Sequence, residues 1–497
     1  MKSRHVVCLF SVLMFAIVLI GLAAAQSSHS VPAKKLAGPF AAAVNYSSGG
    51  TGAGSLAIAD LNGDGKLDLA VANPDSDTVG VVLGNGDGTF QSAVTYSAGG
   101  TEPLSIAIAD VNGDQIPDLV VTVYCPTGGN CKHGGVNVLL GNGDGTFQDP
   151  VTYNPGGFYP ASVAVADLNG DGHPDLVVAN YCSSSQGCSH GTVGVLLGKG
   201  DGTFHSPGIH TTNAEATSVV ITDINGDGHP DLVVAVQNQT VTTMLGNGDG
   251  TFQPPIISNS GEVEARALAI GDVNGDGKLD LAVAGTGLSV LLGNGDGTFE
   301  SPVSYDPGGA GLNGVATGDV NGDGFLDLVV AECDSNSCTS FGLVGVLLGN
   351  GDGTFQSAVT YYTEGGYSPS VAVADLNSDH KLDAVATNSS GPNLAVFLND
   401  SVPASTTTTI TSSPNPSEVD QSVTFIATIG SDTAVPNGSV VTFSHDKTTL
   451  GTSTTTNGIA SFTTSFPKPY KYSIKASYAG DVFHKASSGT MTQNVSR

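Results

Sequence analysis

Asp60-Leu-Asn-Gly-Asp-Gly-Lys-Leu-Asp68 is the stretch that decides the reading of this chain. The pattern Asp-x-Asn-x-Asp-x-x-x-Asp returns six more times, from Asp110, Asp167, Asp223, Asp272, Asp319 and Asp375, at intervals of 47 to 57 residues. Its side chains offer only oxygen. Position 1 is Asp60, Asp110, Asp167, Asp223, Asp272, Asp319 and Asp375; position 3 is Asn62, Asn112, Asn169, Asn225, Asn274, Asn321 and Asn377. Position 5 is Asp64, Asp114, Asp171, Asp227, Asp276, Asp323 and Asp379, and position 9 is Asp68, Asp118, Asp175, Asp231, Asp280, Asp327 and Asp383. Position 7 varies freely, as Lys66, Ile116, His173, His229, Lys278, Phe325 and Lys381, which suits a site where only the main-chain carbonyl binds. Ca2+ takes six to eight such oxygens, so each turn is expected to hold one ion, up to seven in all. His173 and His229 alone could suggest a transition metal, but oxygen-rich surroundings favour Ca2+. A ligand set recurring at a fixed period also marks a repeat array.

Around the first turn the chain reads as four short strands: Ser55–Asp60, Leu67–Asn73, Thr78–Gly84 and Phe90–Tyr96. The second and third are near-continuous apolar runs, as strands covered on both faces should be, and no helical period interrupts them. The first alternates larger residues with Ala, which suits an innermost strand crowded at a central axis. Between the third and fourth strands sits Gly-Asn-Gly-Asp-Gly-Thr-Phe, at 84–90, 141–147, 246–252, 293–299 and 349–355, with Lys199 replacing Asn at 198–204. Its glycines permit the positive φ of a tight hairpin, and that backbone role accounts for the motif without a second cation.

The two ends of the array are complementary. Phe40, Val44 and Tyr46 carry the fourth-strand pattern with no hairpin before them, whereas the seventh unit stops after its third strand, Leu394–Leu398. The N-terminal strand is therefore expected to complete the seventh blade and close the ring, which leaves no long exposed sheet edge.

These residues resemble the FG-GAP-like (VCBS-type) repeats of the β-propeller at the head of integrin α subunits and in many secreted bacterial proteins. The resemblance covers 36–400 and implies an all-β fold, a Ca2+-binding seven-bladed β-propeller with metal loops between the first and second strands of each blade. EF-hand and dockerin loops share the opening of the motif but need an acid at position 12, where this chain has Val or Ala, as at Val71 and Ala386. Two loops depart from the pattern: Gln115 replaces a turn glycine in the second, and Ser378 and His380 replace both in the seventh. Weaker binding is expected there.

Residues 401–409 read as a Pro/Ser/Thr linker, and 410–497 as a second β module. Short alternating runs at 422–428, 439–443, 460–464 and 472–478 fit a small sandwich. With Tyr478-Ala-Gly-Asp481 near its end, this segment looks like a bacterial Ig-like domain, although it lacks the Cys pair and Trp of antibody domains.

Composition bounds the setting. A basic start, an apolar run from Val6 to Leu22 and Ala23-Ala-Ala25 read as a signal peptide over 1–25, so the chain is expected to be secreted or at the cell surface without a membrane span after processing. Formal charge is −29, which disfavours nucleic acid as a partner. Six cysteines beyond that segment form three local pairs, Cys125/Cys131, Cys182/Cys188 and Cys333/Cys338, expected as loop-stapling disulfides in an oxidising compartment.

In an up-and-down blade the metal loops and Gly-Asn-Gly-Asp turns share one face, and only the opposite face varies. The stapled loops lie there with Tyr124, Phe158, Tyr159, Tyr181, Phe341 and Tyr367, a candidate surface for an extracellular glycan or protein. No Ser/His/Asp order, phosphate loop or nucleophilic Cys stands out, so a non-catalytic binding or adhesion module is the expected function. The alternative is an extracellular polysaccharide hydrolase or lyase, for which Glu102, Glu332 and Glu364 are the acids left on that face.

Overall fold

The structure, a computed structural model, describes residues 38–127, 133–184, 188–334, 341–391, 393–431 and 435–497. The expected signal peptide lies outside the described residues, as do Cys131 and Cys338.

From residue 38 to residue 399 the described chain forms seven four-stranded antiparallel sheets arranged as propeller blades. The first consists of Leu56–Ala59, Asp68–Asn73, Thr78–Val82 and Val94–Ser97, in that spatial order. All six residues of Asp68–Asn73 are buried, because neighbouring sheets cover both faces, while Val94–Ser97 is largely exposed at the rim. The first strand of each blade touches the first strand of the next, and Val371–Ala374 of the last touches Leu56–Ala59 of the first. Innermost strands thus run round the axis without a break. Regular helix is confined, among the described residues, to one 3-10 turn, Pro74–Ser76.

Closure follows the expected register. Val44–Tyr46 pairs antiparallel with Leu394–Phe397, placing Val44 opposite Val396 and Tyr46 opposite Leu394, and Phe40 bridges Asn399. The Phe40 ring is 3% exposed, 5.7 Å from the Tyr361 ring and 6.4 Å from Phe397. Thr387 Oγ1 of the last blade donates to the Gly54 carbonyl entering the first, at 2.6 Å.

The Phe of the Gly-Asn-Gly-Asp-Gly-Thr-Phe turn has a packing role that backbone conformation alone did not suggest. Five of the six rings receive an aromatic from the outer strand of the preceding blade, edge to face: Tyr46 on Phe90 at 5.4 Å, Tyr96 on Phe147 at 5.6 Å, Tyr153 on Phe204 at 5.2 Å, His210 on Phe252 at 5.4 Å and Tyr305 on Phe355 at 5.3 Å. The Tyr96, Tyr153 and Tyr305 hydroxyls donate to the carbonyls of Gly145, Gly202 and Gly353 in the same turns. Such pairs contribute about 0.5–1.5 kcal/mol each beyond area burial, so the rim is riveted blade to blade.

The C-terminal module is a sandwich of two sheets. One holds Thr407–Ser413, Val423–Gly430 and Ile459–Thr464; the other holds Ser417–Glu418, Ser487–Ser496, Lys471–Tyr478, Val440–His445 and Thr448–Thr454. Phe425, Val441, Phe443, Ile474 and Ala476 are fully buried between them. Regular structure starts at Thr407, inside the stretch read as linker. Pro, Ser and Thr suggest a connector by composition, yet alternating β-branched residues fit a pleated edge, and Thr407–Ser413 pairs along its whole length with Val423–Gly430.

Candidate metal loops and the opposite face

Each candidate metal loop winds around its own first carboxylate. Asp60 Oδ1 accepts hydrogen bonds from the amides of Gly63 and Asp64, and Oδ2 from that of Gly65, at 2.8, 3.1 and 2.8 Å. The position-9 carboxylate ties the loop to the blade: Asp68 Oδ2 accepts from Leu61 N at 2.9 Å and Oδ1 from Gly84 N, where the third strand ends, at 2.7 Å. The same pair of bonds recurs in the other six loops, with Asn399 N as the second donor in the last.

All seven position-9 carboxylates are buried, none more than 1% exposed. Burial pushes their pKa up, to about 6 for Asp118 and Asp383 and about 8 for Asp327, and the acids at positions 5 and 1 of the same loop add to the rise. A cation beside a buried carboxylate that faces two others would offset the cost of burying its charge. The donor chemistry fits a hard divalent ion, since each carboxylate oxygen retains a lone pair after accepting one amide. The side chains are nonetheless turned onto the loop itself. Among the described residues no three His, Cys, Asp or Glu side chains converge on a point that could hold a metal, and Asp114, Asp171, Asp227 and Asp323 accept instead from the Asn two residues before them.

The two departures from the pattern carry backbone strain. Gln115, Ser378 and His380 adopt φ of 67°, 60° and 65°, in the left-handed region that Gly65 and its counterparts occupy freely. Gln115→Gly and His380→Gly are each expected to raise stability by about 1 kcal/mol in denaturant titration, the relief of strain exceeding the added chain entropy. The sixth loop differs in another way. Phe483 of the C-terminal module packs against Gly322, Pro436 lies over Gly324, and Asp323 is only 9% exposed.

The opposite face brings together some of the expected aromatics and separates others. Tyr124 and Tyr159 stack at 4.9 Å, and Phe158 lies against His133 at 4.6 Å, a neighbour that no sequence pattern marked. Tyr159 has φ of 56°, a conformation costly for a bulky residue. The Tyr181 hydroxyl donates to Gln237 Oε1 at 2.9 Å. Phe341 stands apart, 51% exposed, with its ring edge-on to Tyr362 on the outer strand of the sixth blade. Tyr367 is partly covered, and burial raises its hydroxyl pKa to about 12. The three acids do not gather at a mouth. Glu332 is fully buried, contrary to its expected place on the open face; Glu364 accepts from Asn45 Nδ2 at 3.0 Å, and Glu102 faces Asp77 and Asp75.

Cys182 and Cys188 form a disulfide, with a Cα separation of 4.7 Å. Cys125 and Cys333 are also disulfide-bonded.

Residues 60–121, 125–178, 182–234, 223–283 and 272–330 match the FG-GAP-like repeat family, together more than half of the chain. The chain belongs to that family. Residues 410–496 match the bacterial Ig-like domain of group 3, in agreement with the sandwich. No curated protein matches the chain. Among the described residues, no helix of this FG-GAP-like protein is long and apolar enough to cross a membrane.

Proposed function

We propose that this FG-GAP-like protein is a secreted, calcium-stabilised module that binds extracellular glycan or protein through the face opposite its metal loops, without catalysis. The division of labour between the two faces carries this reading. One face repeats a single loop and a single turn around the ring. The other bears the disulfide-bonded cysteines and the Tyr124/Tyr159 and His133/Phe158 ring pairs, and rigid loops with aromatic surface suit recognition of sugar rings or peptides. Calcium belongs to the frame: the seven buried position-9 carboxylates, each backed by two amides and flanked by two acids, have the chemistry that a hard cation would neutralise.

The disulfides and the bacterial Ig-like module suit an extracellular setting, where the module would act as a spacer or display stalk. A polysaccharide hydrolase or lyase would place two carboxylates on either side of a cleaved bond, an arrangement that the burial of Glu332 disfavours. The test is a glycan and matrix-protein binding screen in calcium buffer, with a parallel assay for released sugar ends. Replacing Phe158, Tyr159 and Tyr181 together with Ala is expected to weaken binding at least about tenfold, the loss of one or two aromatic contacts. Undiminished binding by the triple variant, or release of sugar ends by the wild type, would overturn the proposal.

A further inference from the structure

Glu332 sits where three other blades use asparagine. The fifth residue after the position-9 aspartate is Asn73 in the first blade, Asn180 in the third and Asn388 in the seventh, all fully buried. Their side-chain amides hold the connection that enters each blade on the binding face. Asn180 Nδ2 donates to the Pro155 carbonyl at 2.9 Å, Asn388 Nδ2 to Thr363 at 3.4 Å and Asn73 Nδ2 to Ser48 at 3.5 Å. In the sixth blade the corresponding connection is Asp306-Pro-Gly-Gly309, a near copy of Asn154-Pro-Gly-Gly157 in the third, and its equivalent carbonyl is that of Pro307.

A carboxylate cannot repeat this contact, because when ionised it only accepts hydrogen bonds. Glu332 Oε2 accepts from Gly309 N at 3.1 Å, whereas Oε1 is buried without a partner. That oxygen and the Pro307 carbonyl converge over Gly345, 2.9 and 2.6 Å from the place where a β-carbon on that glycine would stand. Two acceptors turned toward one buried spot repel; a proton between them makes a donor and an acceptor.

We propose that Glu332 is a neutral carboxylic acid whose Oε1–H donates to the Pro307 carbonyl, so that this connection, unlike those held by asparagine, lets go when the acid ionises. The only bond broken is the carboxyl O–H, whose proton passes to solvent and whose electron pair stays on the carboxylate. Burial raises the Glu332 pKa to about 8, and the neighbouring Asp306 carboxylate adds to the rise. Asp306, at the start of the connection, is the one charged group acting on Glu332 among the described residues; Asp334 lies two residues further along its own strand, and the strands Ala310–Gly318 and Gly342–Leu347 packed beside it carry no ionisable side chain. Because the folded pKa is raised, the stability due to Glu332 is complete below its unfolded value near 4.5 and is lost as pH rises through about 8.

The experiment compares the full chain with Glu332→Gln, in saturating calcium and after chelation, by melting temperature between pH 4.5 and 9.5. Gln keeps the shape and supplies an N–H that does not titrate. The two proteins are expected to melt together near pH 4.5 and to diverge as pH rises, with the variant roughly 5 °C ahead by pH 9. Parallel curves would overturn the proposal, as would a variant less stable at every pH. Should Glu332→Gln fail to fold, isotope-edited infrared spectra of wild type with labelled glutamate decide. A protonated carboxyl band that persists at pH 6.5 and vanishes by pH 9 supports the proposal, and its absence at pH 6.5 overturns it.

Discussion

Stripping divalent ions from the purified protein is expected to lower its melting temperature by more than about 10 °C, and returning calcium alone should restore it. An ion that binds only the folded chain stabilises it by RT ln(1 + [L]/Kd), about 2.7 kcal/mol per loop at a hundredfold excess over Kd. Several filled loops together match the roughly 5–15 kcal/mol of net stability of a folded domain. The acids explain why the dependence should be steep. Three aspartates in each of seven loops make 21 of the 45 acidic residues, gathered on one face, and each loop buries at least one of them. Without a cation these groups must take up protons or repel, and either course weakens the folded state. The check pairs elemental analysis of the dialysed protein with calorimetry before and after chelation. Fewer than about three bound equivalents together with an unmoved melting temperature would remove calcium from the account. Weaker occupancy at loops two and seven alone would not, since Gln115, Ser378 and His380 already strain those turns.

Much of the frame was legible in the sequence because it repeats. A nine-residue motif at blade spacing, and a Phe-x-x-x-Val-x-Tyr strand out of place at the N-terminus, are enough to derive four-stranded blades and their closure, since strand order in a meander follows chain order. What stayed illegible is what one residue does to one neighbour in space. Glu332 reads as an acid on an open face, and only the fold shows that its strand runs beneath the connection from Asp306 to Gly309. His133 and Gln237 become partners of Phe158 and Tyr181 only when adjacent blades meet. In the same way, a Phe ending a glycine-rich turn looks like hairpin punctuation until the preceding blade sets a tyrosine on its face. Composition misled once, at Thr407–Thr409, where residues typical of linkers are also good edge-strand residues.

Deleting residues 36–46 is expected to abolish cooperative unfolding of the array. The loss is larger than three strand pairs. Phe40 fills a space between Tyr361 and Phe397, and removing a buried phenyl ring costs about 3–5 kcal/mol. Tyr46 caps Phe90, so its removal also undoes the rivet between the last blade and the first. Leu394–Phe397 would then present an unpaired edge between apolar faces, an invitation to pair with another molecule. The shortened chain should therefore bind a hydrophobic dye, self-associate in size-exclusion chromatography and melt over a broad range. Because the missing strand contributes through main-chain pairing, Phe40 and Tyr46, a synthetic peptide spanning 36–49 should restore the monomer in trans, as strand addition does elsewhere. A peptide with both rings replaced by Ala should not. A shortened chain that stays monomeric with the melting curve of the full protein would mean that the disc does not depend on this closure, and that the first six blades hold their curvature through the rim contacts alone.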